Sequence, residues 1–557
     1  MSDGPTTAPE AILFGAEIYV DGDGSDAWAE ALAITGGTIT GIGTAASVKD
    51  LAGSSTRLID LEGATVFPGF VDAHVHPAMG GAELLECDLS EFVTESDYVR
   101  VIAAYVDGRE QDDWVFGGGW SMSAFDRGLP RSSALDSATG DHPAFFYNRD
   151  HHTAWVNSVA LRAAGITAAT PDPVGGRIER DPHGEPTGAL HESAMDLVKT
   201  LFPPPAPDHH LESLRAGVRH LNSLGVTGWQ DAKVLTREGE VEAYLELQRA
   251  GELTARVVGA CYLDPERGPE QVDEFITARA NTPPGLFTLS SVKIMLDGVC
   301  ETHTAALSSP YLDGHGHETD NSGIHFFERD FLLDCARRLD AAGFQLHFHA
   351  VGDAAVTEAL DVVEYVRSEN GPGRNRHHIA HVQVVHPRDI NRFRILGVSA
   401  NAQPLWARLE AQMTQLTLPY LGESRGTWQY PFGDFENSGA GLVFGSDWPV
   451  STADPIRQLH VAVNRAPAPD RTSWQPADGA FLPDQRMSLP SALRAFTRGS
   501  AWINHHEHVS GVIREGFSAD LAVLDSNPFA RPTADIWRSN VIQTWFRGEP
   551  VFTADPA

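Results

Sequence analysis

The sequence predicts an α/β protein: a distorted (β/α)8 TIM-like barrel with a small β-sandwich domain built from the N- and C-terminal segments. Three observations carry this expectation. The centre of the chain repeats short apolar runs followed by amphipathic segments of helix length, the order of a parallel sheet wrapped by helices. Both ends read instead as short strands broken by glycine-rich turns. With 557 residues, 42% of them apolar and 21% charged, the chain has the material for a large core and is not of disordered composition.

Taken in order, residues 1–67 supply AILFGAEIYV, an Asp-Gly-Asp-Gly turn and EALAITGGTITGIG, too few strands for a complete domain. Residues 68–501 supply nine strand candidates: ATVFPGFVDAHVH, PAFFYN, GVTGWQD, ARVVGACYL, LSSVKIMLDG, FQLHFHAVG, HHIAHVQVV, VSANAQP and GLVFGSDWP. Helical segments such as LESLRAGVRHLNSL and RDFLLDCARRLDAA separate several of them. A barrel needs eight, so the excess belongs to inserted loops. Residues 120–207, rich in Gly, Pro and His, read as the long insertion. Residues 502–557 return to the strand-and-turn style, with GVIREGFSADLAVLD and VIQTWFRGEPVF, and are expected to pair with the N-terminal strands.

Charge narrows the partners. Against 41 Lys and Arg stand 75 Asp and Glu, a formal charge of −34. Such a chain repels nucleic-acid phosphates and anionic lipid, so neither nucleic acid nor membrane is expected as a partner. The four cysteines are far apart and form no CxxC pair, the usage of a cytoplasmic protein with reduced thiols. The opening MSDGPTTAPE has no basic and apolar leader, and no apolar run approaches the ~18 residues of a membrane span.

The chemistry begins at His74-Val75-His76, at the end of an apolar strand. Side chains two apart in a strand face the same way, so both imidazoles can converge on one ion. The plainer reading is two hydrogen-bonded core histidines. Lys293 sits inside the apolar strand SVKIMLDG, where an ammonium is costly unless neutral, paired or modified; a snorkelling strand-end lysine is the alternative. His349, His381 and Asp447 each close another apolar run, at the strand ends where barrel enzymes keep their chemistry.

The order HxH, Lys, His, His, Asp resembles the amidohydrolase superfamily, and more narrowly its YtcJ-like, amidohydrolase-3 branch, which includes N-substituted formamide deformylases. The matching strings are PGFVDAHVH, RDHHTAWVNSVAL, KIMLDG followed by THTAAL, HFHAVGD, IAHVQ, FGSDWP and GVIREGFSADLAVLD. The resemblance implies one or two Zn²⁺ per chain, with other divalent ions as alternatives. His74, His76 and Asp447 would bind one ion, and His349 and His381 the second. Lys293 matches a lysine that related enzymes carboxylate to bridge the pair. Asp447 would also be the catalytic acid and base. His152, in RDHHTAWVN, matches a histidine that faces the substrate. The sequence departs from the pattern at His303, a further substrate-binding candidate, where many relatives carry Arg.

Trp120, Met122 and Phe125 are candidates for an apolar substrate wall, or for ordinary insertion core. Cys300 is a candidate pocket residue, or an inert buried thiol. The expected reaction is hydrolysis of a C–N amide bond in a small molecule (an N-substituted formamide, an N-acyl amine or a cyclic amide) by metal-activated hydroxide. The alternatives are hydrolytic deamination, decarboxylation or isomerisation on the same barrel, and an inactive metal-bound binder. Deaminases of the superfamily carry HxxE at the fifth strand, whereas Gly352 holds the place of that Glu here. A homodimer is the expected assembly.

Overall fold

The computed structural model describes residues 8–22, 25–109, 113–204, 206, 208–234, 239–469 and 479–555. Its first strands are β1 (Ala11–Gly22), β2 (Ser25–Thr35), β3 (Thr38–Gly43), β4 (Arg57–Asp60) and β5 (Thr65–Pro68). The β2–β3 hairpin turns on Gly36 and Gly37, both at positive φ, a conformation that suits strand twist and that glycine adopts freely. β1 runs beside β4 along its first part and beside β5 further on, with a break in its register to β2 between Phe14 and Ile18.

The chain then enters the barrel. β6 (Phe70–Val75) is buried along its whole length, as a strand covered on both faces must be. A second sheet interrupts before the barrel continues. Its strands are β7 (Cys87–Asp88), β8 (Val115–Trp120), β9 (Ala144–Asn148), β10 (Thr153–Val156), β11 (Gly176–Arg180) and β12 (Pro186–Glu192), in the order β11-β12-β10-β9-β8-β7.

The barrel resumes with β13 (Val226–Val234), β14 (Arg256–Tyr262), β15 (Phe287–Met295), β16 (Gln345–Ala350), β17 (His378–His381), β18 (Ser399–Ala402) and β19 (Gly441–Phe444). The eight strands are ordered β19-β18-β17-β16-β15-β14-β13-β6, and every neighbouring pair is parallel. The seam between β19 and β6 is bridged just beyond β19, where Asp447 N donates to His74 O at 2.7 Å and His76 N to Trp448 O at 2.9 Å. Gly445 allows this approach, because a Cβ there would lie 2.5 Å from His74 N.

β20 (Leu521–Leu524), β21 (Val541–Phe546) and β22 (Glu549–Thr553) complete the chain. β20 lies antiparallel to β5, with Leu521 opposite Pro68 and Leu524 opposite Thr65, so strands from both ends share one eight-stranded sheet. Ile18, Leu32, Val66, Ile513, Leu521 and Val523 pack in its core.

Eight of the nine central strand candidates are barrel strands; PAFFYN is β9, in the second sheet. That sheet starts at Cys87 rather than near residue 120. The early boundary was hidden because β7 has two residues and β8 carries three glycines, which read as loop. Close packing requires two of them: a Cβ on Gly117 would meet Cys87 O at 2.2 Å, and one on Gly118 the Glu83 carboxylate at 2.7 Å. Among the described residues, no helix is long and apolar enough to cross a membrane.

Candidate metal centre

The C-terminal ends of the barrel strands bring the candidate ligands to one rim. His74 lies in β6 and His76 directly after it, at the start of the helix Pro77–Leu85. Both rings point at one carboxylate oxygen: His74 Nε2 and His76 Nε2 each stand 3.1 Å from Asp447 Oδ1. Asp447 lies three residues past β19 with φ at +56°, and His381 ends β17 at +76°. Left-handed backbone at residues other than glycine costs on the order of 1–3 kcal/mol and persists where the surrounding fold enforces it, commonly at functional sites.

Asp72 holds this corner from beneath, accepting from His74 N at 3.0 Å and from Ser446 N at 2.9 Å. Burial raises its pKa to about 7. His381 has its Nδ1 3.0 Å from Gln403 Oε1, so Nδ1–H donates and Nε2 keeps its lone pair. That Nε2 is buried and, among the described residues, has no hydrogen-bond partner. The ring lies parallel to Trp406 at 5.4 Å. One ligand atom from each of His74, His381 and Asp447 fits within 4.8 Å of the others.

Lys293, in β15, places Nζ 3.3 Å from His74 Nε2. Burial lowers its pKa to about 7, so much of it is a neutral amine at neutral pH. Burial, then the Lys293 charge, pushes His74 down to about 3. His76, His349 and His381 are also lowered, chiefly by burial. Burial alone would raise Asp447, but His74, His76 and His381 hold it well below the usual carboxylate range. The pocket therefore offers neutral imidazoles, an ionised carboxylate and a neutral amine. That donor set, with a buried unpartnered imidazole nitrogen, fits a divalent metal ion such as zinc. His349 stands beside it, its ring 4.3 Å from His381 and its Nε2 3.2 Å from Gly298 O.

The amidohydrolase family profile matches residues 57–552. The chain belongs to the amidohydrolase family. It is 29% identical over 549 residues to the YtcJ protein of Bacillus subtilis (strain 168), covering 98% of this chain and 99% of the relative. It is 26% identical over 537 residues to an N-substituted formamide deformylase of Arthrobacter pascens, covering 94% and 95%. An uncharacterized metal-dependent hydrolase of Pyrococcus horikoshii OT3 superposes with a TM-score of 0.72 at 25% identity, covering 94% of this chain and 99% of the other. The protein is thus a metal-dependent hydrolase of the amidohydrolase family.

The second sheet of this amidohydrolase delivers one more group to the rim. His152 lies with its ring 5.9 Å from that of His349, and its Nδ1 is 2.9 Å from both oxygens of Glu192 at the end of β12. Burial opposes a charge on His152, but the Glu192 carboxylate outweighs it and raises the pKa to about 9. Thr304 Oγ1 donates to the same carboxylate at 3.1 Å.

The other candidates have packed surroundings. Trp120, Met122 and Phe125 pack with Trp155 and Leu135 in the core of the second sheet, and the Trp120 indole donates to Phe146 O at 2.9 Å. Their apolar character reflects that core. Cys300 is buried among Ala305, Leu307 and Tyr311, and burial raises its thiol well above its ordinary value, which disfavours the ligating thiolate. The His303 ring lies tilted against Tyr311 at 5.0 Å and Tyr420 at 4.5 Å, and burial lowers its pKa to about 4.

Sequence reasoning missed Glu192, Gln403 and His347. His347 had a signal, since it precedes His349 by two in β16 and so shares its face; its Nε2 meets His74 Nδ1 at 2.8 Å. Glu192 and Gln403 had none, because their partners are 40 and 22 residues away.

Proposed function

We propose that this amidohydrolase cleaves a C–N amide bond in a small-molecule substrate: an N-substituted formamide, an N-acyl amine or a cyclic amide. The observation that carries the reading is the single Asp447 oxygen shared by His74 and His76 beside the unpartnered His381 Nε2. His74, His76 and Asp447 would hold one zinc and His349 and His381 a second, with a carboxylated Lys293 serving both. A bound divalent ion polarises a carbonyl and makes water acidic enough to attack at neutral pH.

The protein's own groups do the rest. Asp447 accepts the proton of the attacking water and returns it to the leaving nitrogen, one carboxylate serving both steps. The His152 imidazolium, held charged by Glu192, offers its remaining N–H to the oxygen that gains charge. Deamination is disfavoured by packing: a Cβ at Gly352 would fall 1.9 Å from Ala306 O, so no glutamate side chain fits there. Turnover of N-formyl amines, N-acyl amino acids and cyclic imides, measured with zinc and again after chelation, tests the reading. Chelator-sensitive hydrolysis is expected, seen as a released amine or, for a cyclic imide, as the ring-opened acid; zinc-loaded protein inert toward all three classes would reject it.

The His152–Glu192 pair makes a separate prediction. A histidine whose pKa is raised is protonated below that value and loses its charge as pH rises through it. In the parent, this contribution to kcat/KM should persist to about pH 9. Glu192→Gln removes the charge that opposes burial, so the alkaline loss should move to lower pH. An unchanged alkaline limb in a kcat/KM profile would remove His152 from the mechanism.

A further inference from the structure

Beneath the rim, the barrel interior carries amides and imidazoles where a purely apolar core would serve for packing. Gln230, Gln345, His378, Asn401 and Gln403 are all buried. Their hydrogen bonds can be assigned a direction, because backbone carbonyls only accept. Gln345 Nε2 donates to Arg376 O at 2.9 Å and to Ile503 O at 2.8 Å, which fixes its amide and leaves Oε1 as acceptor. Gln230 Nε2 donates to that Oε1 at 2.7 Å, so Gln230 Oε1 must accept, from His378 Nε2–H at 2.9 Å.

His378 Nδ1 is then a lone pair, and Asn401 Nδ2 donates to it at 3.1 Å. The orientation of Asn401 is fixed a second time, independently, by its donation to Ala73 O at 2.8 Å. Asn401 Oδ1 therefore accepts, from Gln403 Nε2 at 3.4 Å, the longest link. Gln403 Oε1 is left as the acceptor facing His381 Nδ1 at 3.0 Å. Two backbone anchors thus give every member of the chain the same polarity, and the chain ends on one nitrogen of His381.

We propose that Gln403, Asn401, His378, Gln230 and Gln345 form a positioning relay that holds His381 in the Nδ1–H tautomer, leaving its Nε2 lone pair free to bind a metal ion. The usefulness of that tautomer rests on the metal-hydrolase reading; the tautomer itself does not. A free neutral imidazole divides its proton between two nitrogens, and a ligand histidine must have the proton on the nitrogen away from the metal. The relay makes this choice before any ion arrives.

The test uses the full-length protein with 15N-labelled histidine and zinc as the probe. In metal-free parent, His381 Nδ1 should give the signal of a protonated ring nitrogen and Nε2 that of an unprotonated one. Gln403→Met, of similar shape without the carbonyl, should give mixed tautomers and a zinc affinity ~10–100-fold weaker by chelator competition. Gln403→Glu keeps an acceptor at that place and should retain both the single tautomer and the affinity; Gln403→Leu replaces the Met variant if that one folds poorly. The relay is overturned if metal-free parent shows His381 protonated at Nε2, or if the Met variant, folded and with an unaltered melting temperature, keeps parental tautomer and affinity. Parent that binds no zinc but shows the fixed tautomer would reject the metal reading and leave the relay standing.

Discussion

His74→Ala combined with His76→Ala is expected to strip bound metal from the protein and take turnover to background. The two rings face the same oxygen of Asp447, so the double variant removes two candidate ligand nitrogens and the two imidazoles that stand 3.1 Å from that oxygen. Losing several kcal/mol of Lewis-acid stabilisation corresponds to a rate loss of about 10³-fold or more. The folded protein should survive, since the seam is bridged by the backbone of His74 and His76 and not by their rings. Metal content by elemental analysis, with circular dichroism as the control for folding, checks both halves. A folded double variant with parental turnover would contradict the assignment of the site.

The second large effect is expected at Lys293. Burial costs an ammonium several kcal/mol (~1.4 kcal/mol for each unit of pKa), and here it brings the amine to neutrality near physiological pH. A neutral amine is the form that adds to carbon dioxide, and the resulting carbamate anion is tolerable only beside a cation. Modification and metal loading should therefore rise together. Intact mass spectrometry should find a carbamate on metal-loaded protein that disappears on acid denaturation. Lys293→Ala should lose most activity and recover part of it with a small added carboxylate. Lys293→Arg should not recover, because a guanidinium stays cationic and cannot ligate. An unmodified side chain in metal-loaded, bicarbonate-supplied crystals would instead favour Lys293 as a hydrogen-bonding partner of water or substrate.

The parallel barrel was legible because its strands are covered on both faces and read as continuous apolar runs, as in FQLHFHAVG and GLVFGSDWP. The second sheet was less legible. Its β8 is half glycine for reasons of close packing against Cys87 and Glu83, and glycine in a sequence looks like loop. Trp120 and Phe125 show the same limit from the other side. An aromatic pair near a candidate site has the same composition whether it lines a pocket or fills a core, and here it fills a core.

By itself, the sequence determined which residues could do chemistry: a same-face histidine pair, a lysine in an apolar strand, and acids and imidazoles at strand ends. These follow from local periodicity and from the cost of burying charge, both properties of a few consecutive residues. Only the tertiary structure decided how those residues are set. It turned His74 and His76 onto one oxygen, left His381 Nε2 without a partner among the described residues, and brought Glu192 from a paired strand of the second sheet against His152. Hydrogen-bond direction and desolvation depend on partners that are close in space and far apart along the chain, and no local pattern in the sequence records them.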